Sequence, residues 1–283
     1  MKNVIYTVLL MTSVSSFGQI ILNINRTSGS FSTPIVQIDS IRFTNNQMEI
    51  VQTTGAPQNE VLNGIVNVTF SGQPMLVWPV GTVHCSTVPT AIVDVTNPTT
   101  GKIWMDRNLG GSQVATSKTN AASYGDLYQW GRGADGHQCR NSPTTTTLSS
   151  VNQPANGNFI LVPNSPYDWR SPQNDNLWQG VNGVNNPCPT GYRVPTLAEF
   201  DAESLTWTGG LNAAGAFASP LKLTMAGHRD DSNGSLIDVG VLCRYWSSTV
   251  SGADSRFLLF DNSFVGFGHG RRARGGSIRC IKN

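Results

Sequence analysis

The stretch Asn186-Pro187-Cys188-Pro189-Thr190-Gly191-Tyr192-Arg193-Val194-Pro195-Thr196-Leu197-Ala198-Glu199-Phe200 constrains this chain more than any other. Pro187, Pro189 and Pro195 fix φ at three places and Gly191 frees it at a fourth, so the segment begins as a rigid turn. Thr196 followed by Glu199 forms a capping box, in which hydroxyl and carboxylate satisfy the first free N–H groups of a helix. Leu197 and Phe200, three apart, face the same side and are expected in the core. The helix is expected to stop near Thr206, before Gly209-Gly210. A shorter one follows over residues 212–218, ended by Pro220.

Few other helices are expected. Only 13% of the residues are charged, and the formal net charge is +2. Near-balance gives no electrostatic case for nucleic acid or anionic lipid as a partner. Met1-Lys2-Asn3 and the apolar run Val4 to Met11 read as a secretory signal peptide over residues 1–18. Ser16 and Gly18 are spaced for cleavage before Gln19. No later stretch has the length of a membrane helix, so no membrane span is expected. The expected location is outside the cytoplasm: periplasm, cell surface or extracellular medium. Export places Cys85, Cys139, Cys188, Cys243 and Cys280 where disulfides persist. Five cysteines allow at most two internal bridges and leave one over, and spacing does not settle the pairing.

Residues 19–83 read as a small β-rich leader domain. Ile20 to Asn25 is a strand candidate. Ile35 to Phe43 alternates apolar and polar residues, Thr44-Asn45-Asn46-Gln47 is turn chemistry, and Met48 to Val51 returns as a hairpin. Ile38 to Phe43 resembles a short β motif of exported proteins of the Bacteroidetes type. A loop from Thr53, a strand from Val61 to Phe70 and a break at Ser71 to Pro74 complete this part. Residues 84–283 form the second domain. Strands are expected at Ala91 to Val95, Ile103 to Met105, Arg244 to Thr249, Arg256 to Phe260 and Ser277 to Ile281, with a short helix within residues 120–130. Residues 131–187 are rich in Gly, Pro, Asn and Ser. So long an irregular stretch is usually functional or ordered by bound ions.

Several motifs then occur in order from about Val93 to Lys282. They are Thr100-Gly101-Lys102-Ile103-Trp104-Met105-Asp106-Arg107-Asn108-Leu109-Gly110, Tyr128-Gln129-Trp130-Gly131-Arg132, Asp168-Trp169-Arg170-Ser171-Pro172, Cys188 to Thr196, Tyr245-Trp246-Ser247-Ser248-Thr249 and Ile278-Arg279-Cys280. Together they resemble the Fibrobacter succinogenes major paralogous domain of exported bacterial proteins. Residues 193–200 and the closing Ile278-Arg279-Cys280 are also similar to the formylglycine-generating-enzyme group. The resemblance implies an α+β, C-type-lectin-like domain with short helices, small antiparallel sheets and long irregular loops. It also implies a bond between Cys188 and Cys280, with Cys139 and Cys243 as the natural second pair and Cys85 left odd.

The enzymes of that group use a cysteine pair before the last-strand cysteine. Here only Cys243 lies between the helix and Cys280, so no enzyme is expected. His84, His137, His228 and His269 make no metal-ligand spacing, and Ser247 and Ser248 lack a nucleophile elbow. Aromatic and planar polar groups instead crowd the irregular region: Trp130, Arg132, Asp135, Trp169, Asp175, Asn176 and Trp178. An indole face with hydrogen-bonding Asp, Asn and Arg suits a sugar. The expected ligand is therefore a glycan or other cell-envelope component, and the runner-up partner is a surface protein. No cofactor is called for, although Gln173-Asn174-Asp175-Asn176 offers oxygen donors suited to a structural calcium. The calcium-lectin triplets Glu-Pro-Asn, Gln-Pro-Asp and Trp-Asn-Asp do not occur.

Overall fold

The computed structural model describes residues 7–9, 21–26, 29–34, 38–44, 47–52, 58–61, 65–71, 77–154 and 156–283. The chain divides into two compact units, Met1–Leu76 and Val77–Asn283. The first contains strands β1 (Thr7–Leu9), β2 (Ile21–Arg26), β3 (Gly29–Pro34), β4 (Ile38–Thr44), β5 (Gln47–Gln52), β6 (Gln58–Val61) and β7 (Ile65–Ser71). They form two antiparallel sheets, β1-β4-β5-β6 and β3-β2-β7. The expected hairpin is β4–β5, with Phe43 opposite Met48 and Thr44 opposite Gln47. Apart from β1, the proposed signal peptide lies outside the described residues, as do Asn45-Asn46, the start of the Thr53 loop and the break at Gly72 to Pro74. Cleavage before Gln19 would remove β1 from its sheet.

The second unit begins at Val77, seven residues before the boundary expected from sequence. Hydrogen bonds explain the difference. Thr190 N–H donates to Val77 O and Val83 N–H to Ala134 O, which fastens residues 77–83 to this unit. Its elements are β8 (Asp94–Thr96), β9 (Ile103–Met105), β10 (Tyr128–Gln129), β11 (Thr144–Thr145), β12 (Phe159–Ile160), β13 (Tyr192–Arg193), α1 (Leu197–Ser204), α2 (Ala213–Ala218), β14 (His228–Arg229), β15 (Leu236–Ile237), β16 (Cys243–Ser251), β17 (Asp254–Phe260), β18 (Val265–Gly270), β19 (Gly275–Gly276) and β20 (Ile281–Lys282). The sheets are small: β13-β20-β9-β8, β10-β19-β14-β15 and β16-β17-β18, beside a parallel β11–β12 pair. Two short helices among small, mainly antiparallel sheets make this an α+β unit.

Thr196 and Glu199 cap α1 reciprocally, and Asn212 caps α2 through its side-chain oxygen. Phe200 is buried, packing with Trp104, Tyr245, Leu258 and Phe260 in the main core. Leu197, expected beside it, is only half-buried because it lies at the first turn, where its N–H meets Thr249 Oγ1. The expected helix within residues 120–130 is a single 3-10 turn at Ala121–Ser123. Gly125 at φ +69° ends it, in a place where a Cβ would overlap the Leu109 carbonyl oxygen. β18 was not expected, since Gly266, Gly268 and Gly270 weaken its strand signal. Phe257 supplies the missing surface. Its ring lies where a Cβ on Gly268 would come within 2.6 Å.

The last expected strand also differs. Ser277 makes an isolated bridge, and only Ile281 and Lys282 form a strand. Residues 278–280 instead cross between sheets, giving carbonyls to Leu109 and Met105. Arg279 turns inward, and Ile278, Arg279, Cys280 and Ile281 are all buried. The guanidinium bonds Asn108 Oδ1 at 2.9 and 3.1 Å and the carbonyls of Met105 and Leu221. Asn108 in turn donates to Tyr124 O and to the Tyr245 hydroxyl.

Cys188 is bonded to Cys280, each just ahead of the paired strands β13 and β20. The second expected pair is corrected: Cys139 is bonded to Cys85, and Cys243 is the free cysteine. Cys243 shares the inward face of β16 with Tyr245 and is sealed in the main core, away from the loop that carries Cys139. Among the described residues, no helix is long and apolar enough to cross a membrane.

Candidate ligand recess

The tryptophans expected to meet a ligand are buried in the interior. Trp130, Trp169 and Trp178 are each 0% exposed. Their indole N–H groups are spent on carbonyls: Trp130 on Ser247 O at 2.8 Å, Trp169 on Trp130 O at 2.6 Å, and Trp178 on Arg132 O and Asn185 O. The Trp130 and Trp178 rings lie 5.5 Å apart, and the Arg132 and Arg272 guanidiniums cover Trp169 and Trp130. None of these three indole faces is free to stack on a sugar, so that part of the expectation is corrected. A loop-rich chain with few regular hydrogen-bond ladders uses its largest side chains to fill space and to satisfy irregular backbone. The sequence shows the residue types but not which way they point.

Arg132 is also buried, and reaches Asp135 at 2.6 Å, Gln129 Oε1 at 2.8 Å and the carbonyl of Asn158. Asp135 is partly exposed and accepts from the His137 backbone and ring. Gln129 N–H donates to His137 Nε2 at 3.0 Å, so the proton sits on Nδ1 and points at Asp135. Burial pushes the His137 pKa down to about 4, keeping the imidazole neutral near pH 7. For Asp135, burial works upward, but His137 and Arg132 outweigh it and hold the carboxyl at about 2. The carboxylate is therefore fixed in place and ionised.

Asp135 lines a recess of about 270 Å³ with Pro79, Val80, Thr82, Gln153, Asn185 and Asn186. Asn185 is 3% exposed. Its amide nitrogen donates to Gly131 O at 2.8 Å and Asn152 O at 2.6 Å, while Oδ1 has no partner. Val80 and Val184 project at the rim. The arrangement offers one carboxylate of fixed position, an amide at the edge and apolar walls. It can take hydroxyl or N–H donors from a ligand with an apolar face. Asn185 and residues 79–82 were not expected here. The available signal was the Asn185-Asn186 pair directly before the Pro-Cys-Pro turn, whereas residues 79–82 had been assigned to the leader.

The remaining candidates lie elsewhere. Asp175 pairs with Arg272 at 2.6 Å, and Asn174 caps the backbone of Asn176, both of them exposed at Asp175 and Asn176. With its one carboxylate bound to a guanidinium, this run is a turn and does not fit a calcium cage. Among the described residues no three His, Cys, Asp or Glu side chains converge as a metal site. Ser247 and Ser248 are buried and donate to Arg256 O and Pro195 O. His269 pairs with Asp254 at the surface. No family model matches the chain, nor does any curated protein or solved structure.

Proposed function

We propose that the protein is an exported, non-catalytic binding module whose second unit is C-type-lectin-like and related to the Fibrobacter succinogenes major paralogous domain. Its ligand is a glycan or another polyhydroxylated component of the cell envelope, received in the recess between residues 79–82 and 184–186. One observation carries this reading: the ionised Asp135 carboxylate, fixed by Arg132 and His137, lines a cavity of about 270 Å³ with the Gln153 amide and apolar walls. Two disulfides suit an oxidising compartment.

The test is binding of the full chain to a panel of glycans and cell-wall fragments, using wild type and two rim variants. Gln153→Ala removes an exposed amide, and Val184→Trp fills the mouth without touching the buried floor. Selective binding weakened by both variants, with an unchanged unfolding midpoint, is the expected result. A negative panel, or saturable binding to an envelope protein that sugars leave untouched, would reject the glycan reading. Trp169→Ala and Trp178→Ala are unsuitable probes, because they would report loss of the core.

A further inference from the structure

Residues 78–86 also border a second, smaller recess. Trp78, His84 and Tyr128 contribute aromatic rings to its wall, Thr90 and Ser86 contribute hydroxyl-bearing residues, and Asp126 completes the lining. Trp78 and His84 meet edge to face with centroids 5.4 Å apart. Thr90 Oγ1 accepts from Gly110 N–H at 2.8 Å. The carboxyl of Asp126 lies against Gly110, where any Cβ would overlap it, and glycine at φ +79° leaves that cradle open.

Asp126 is 7% exposed. Among the described residues no hydrogen bond or ion pair reaches its carboxylate. Arg140 acts on it only at a distance, since that guanidinium is committed to Gly125 O and Ala226 O. Other buried carboxylates of this unit have partners: Asp231 pairs with Arg271 and Arg274, Asp168 lies 3.7 Å from Arg272, and one oxygen of Glu203 accepts from Asn97. An unmatched carboxylate in an aromatic-walled recess is arranged for a cation that comes from outside. The free volume is only about 10 Å³, the space of about one water molecule, so only an ammonium group itself enters and the rest of a ligand stays outside. A divalent metal would want three or four donors, which do not converge here. A primary ammonium needs one charged acceptor and is favoured by aromatic surroundings, and this recess has a carboxylate with three aromatic residues in its lining.

We propose that this recess binds the protonated primary amine of a ligand, with Asp126 as counter-ion and Trp78, His84 and Tyr128 as walls. The site shares only Thr82 with the larger recess, so it stands or falls independently of the glycan reading. Burial raises the Asp126 pKa to about 7, against the downward pull of Arg140. Tyr128 stays a neutral phenol, burial and the Asp126 charge both raising its pKa, and burial lowers that of His84. Amine binding selects the ionised carboxylate, so it should tighten as pH rises through 7 and release a proton.

The experiment is calorimetric titration of the full chain at pH 7 with methylammonium, glucosamine and lysine amide, against glucose and N-acetylglucosamine. Methylammonium should bind, and Asp126→Asn should weaken it at least about tenfold. A preference for glucosamine or for lysine amide identifies a sugar or a peptide as the source of the amine. No methylammonium binding, equal binding of glucosamine and N-acetylglucosamine, or an unaffected Asp126→Asn variant would overturn the proposal. If that variant fails to fold, wild type decides. Titrations in two buffers of different ionisation heat should show proton release near pH 7, and none would refute the site.

Discussion

Glu199 shows how much one side chain can coordinate. Its carboxylate takes the Thr196 N–H at 2.8 Å and both guanidinium nitrogens of Arg193 at 2.6 and 2.7 Å. Burial works to raise its pKa, but the Arg193 pair and the Thr196 hydrogen bonds bring it down to about 2. A depressed carboxylate contributes stability that is present above its unfolded value, near 4.5, and lost as pH falls toward 2. The unfolding midpoint should therefore drop across that window. Glu199→Gln should lower stability at pH 7 and flatten the pH dependence between 4.5 and 2, read by thermal melts at several pH values. A variant whose pH slope matches wild type would contradict this role. The capping box was legible in sequence because Thr and Glu act on their own helix. The Arg193 pairing was not, because it depends on β13 running beside the first turn of α1.

Elements in this fold are short and are held by what packs on them. β18 carries glycine at alternate positions and persists because Phe257 from β17 lies across Gly268 and Gly270. A side chain at Gly268 must displace that ring, which packs against Trp246 at 5.6 Å. Gly268→Val should cost about 1–3 kcal/mol despite the higher strand propensity of valine, as measured by chemical denaturation. A stabilised variant would show that propensity rather than the Phe257 contact governs the strand. The motifs behind the family resemblance likewise serve packing. Asn108 from one motif, Tyr245 from another and Arg279 from the last join in a single buried network. The motifs inform on architecture and leave the ligand open, since the groups lining both recesses lie largely outside them.

Across the whole second unit, two disulfides tie irregular chain to the core: Cys188–Cys280 beside the paired strands β13 and β20, and Cys85–Cys139 for the segment bordering both recesses. Denatured, unreduced protein should show one alkylatable thiol, Cys243, which resists modification in the native state because it is buried and its pKa is raised by that burial. Three labelled thiols would contradict the pairing. Paired replacement of Cys85 and Cys139 by serine should impair ligand binding more than folding, whereas losing Cys188–Cys280 should cost about 2–5 kcal/mol. Local chemistry in the sequence determined α1 with its cap, α2 with Asn212, the β4–β5 hairpin and, in the second unit, β9, β16 and β17, because capping, turn and alternation signals act within a few residues. Tertiary structure alone decided that three tryptophans face inward, that Cys85 rather than Cys243 meets Cys139, and that Asn185 and Asp126 line separate recesses. Those outcomes depend on which distant segments share a space, and no period or spacing along the chain encodes that.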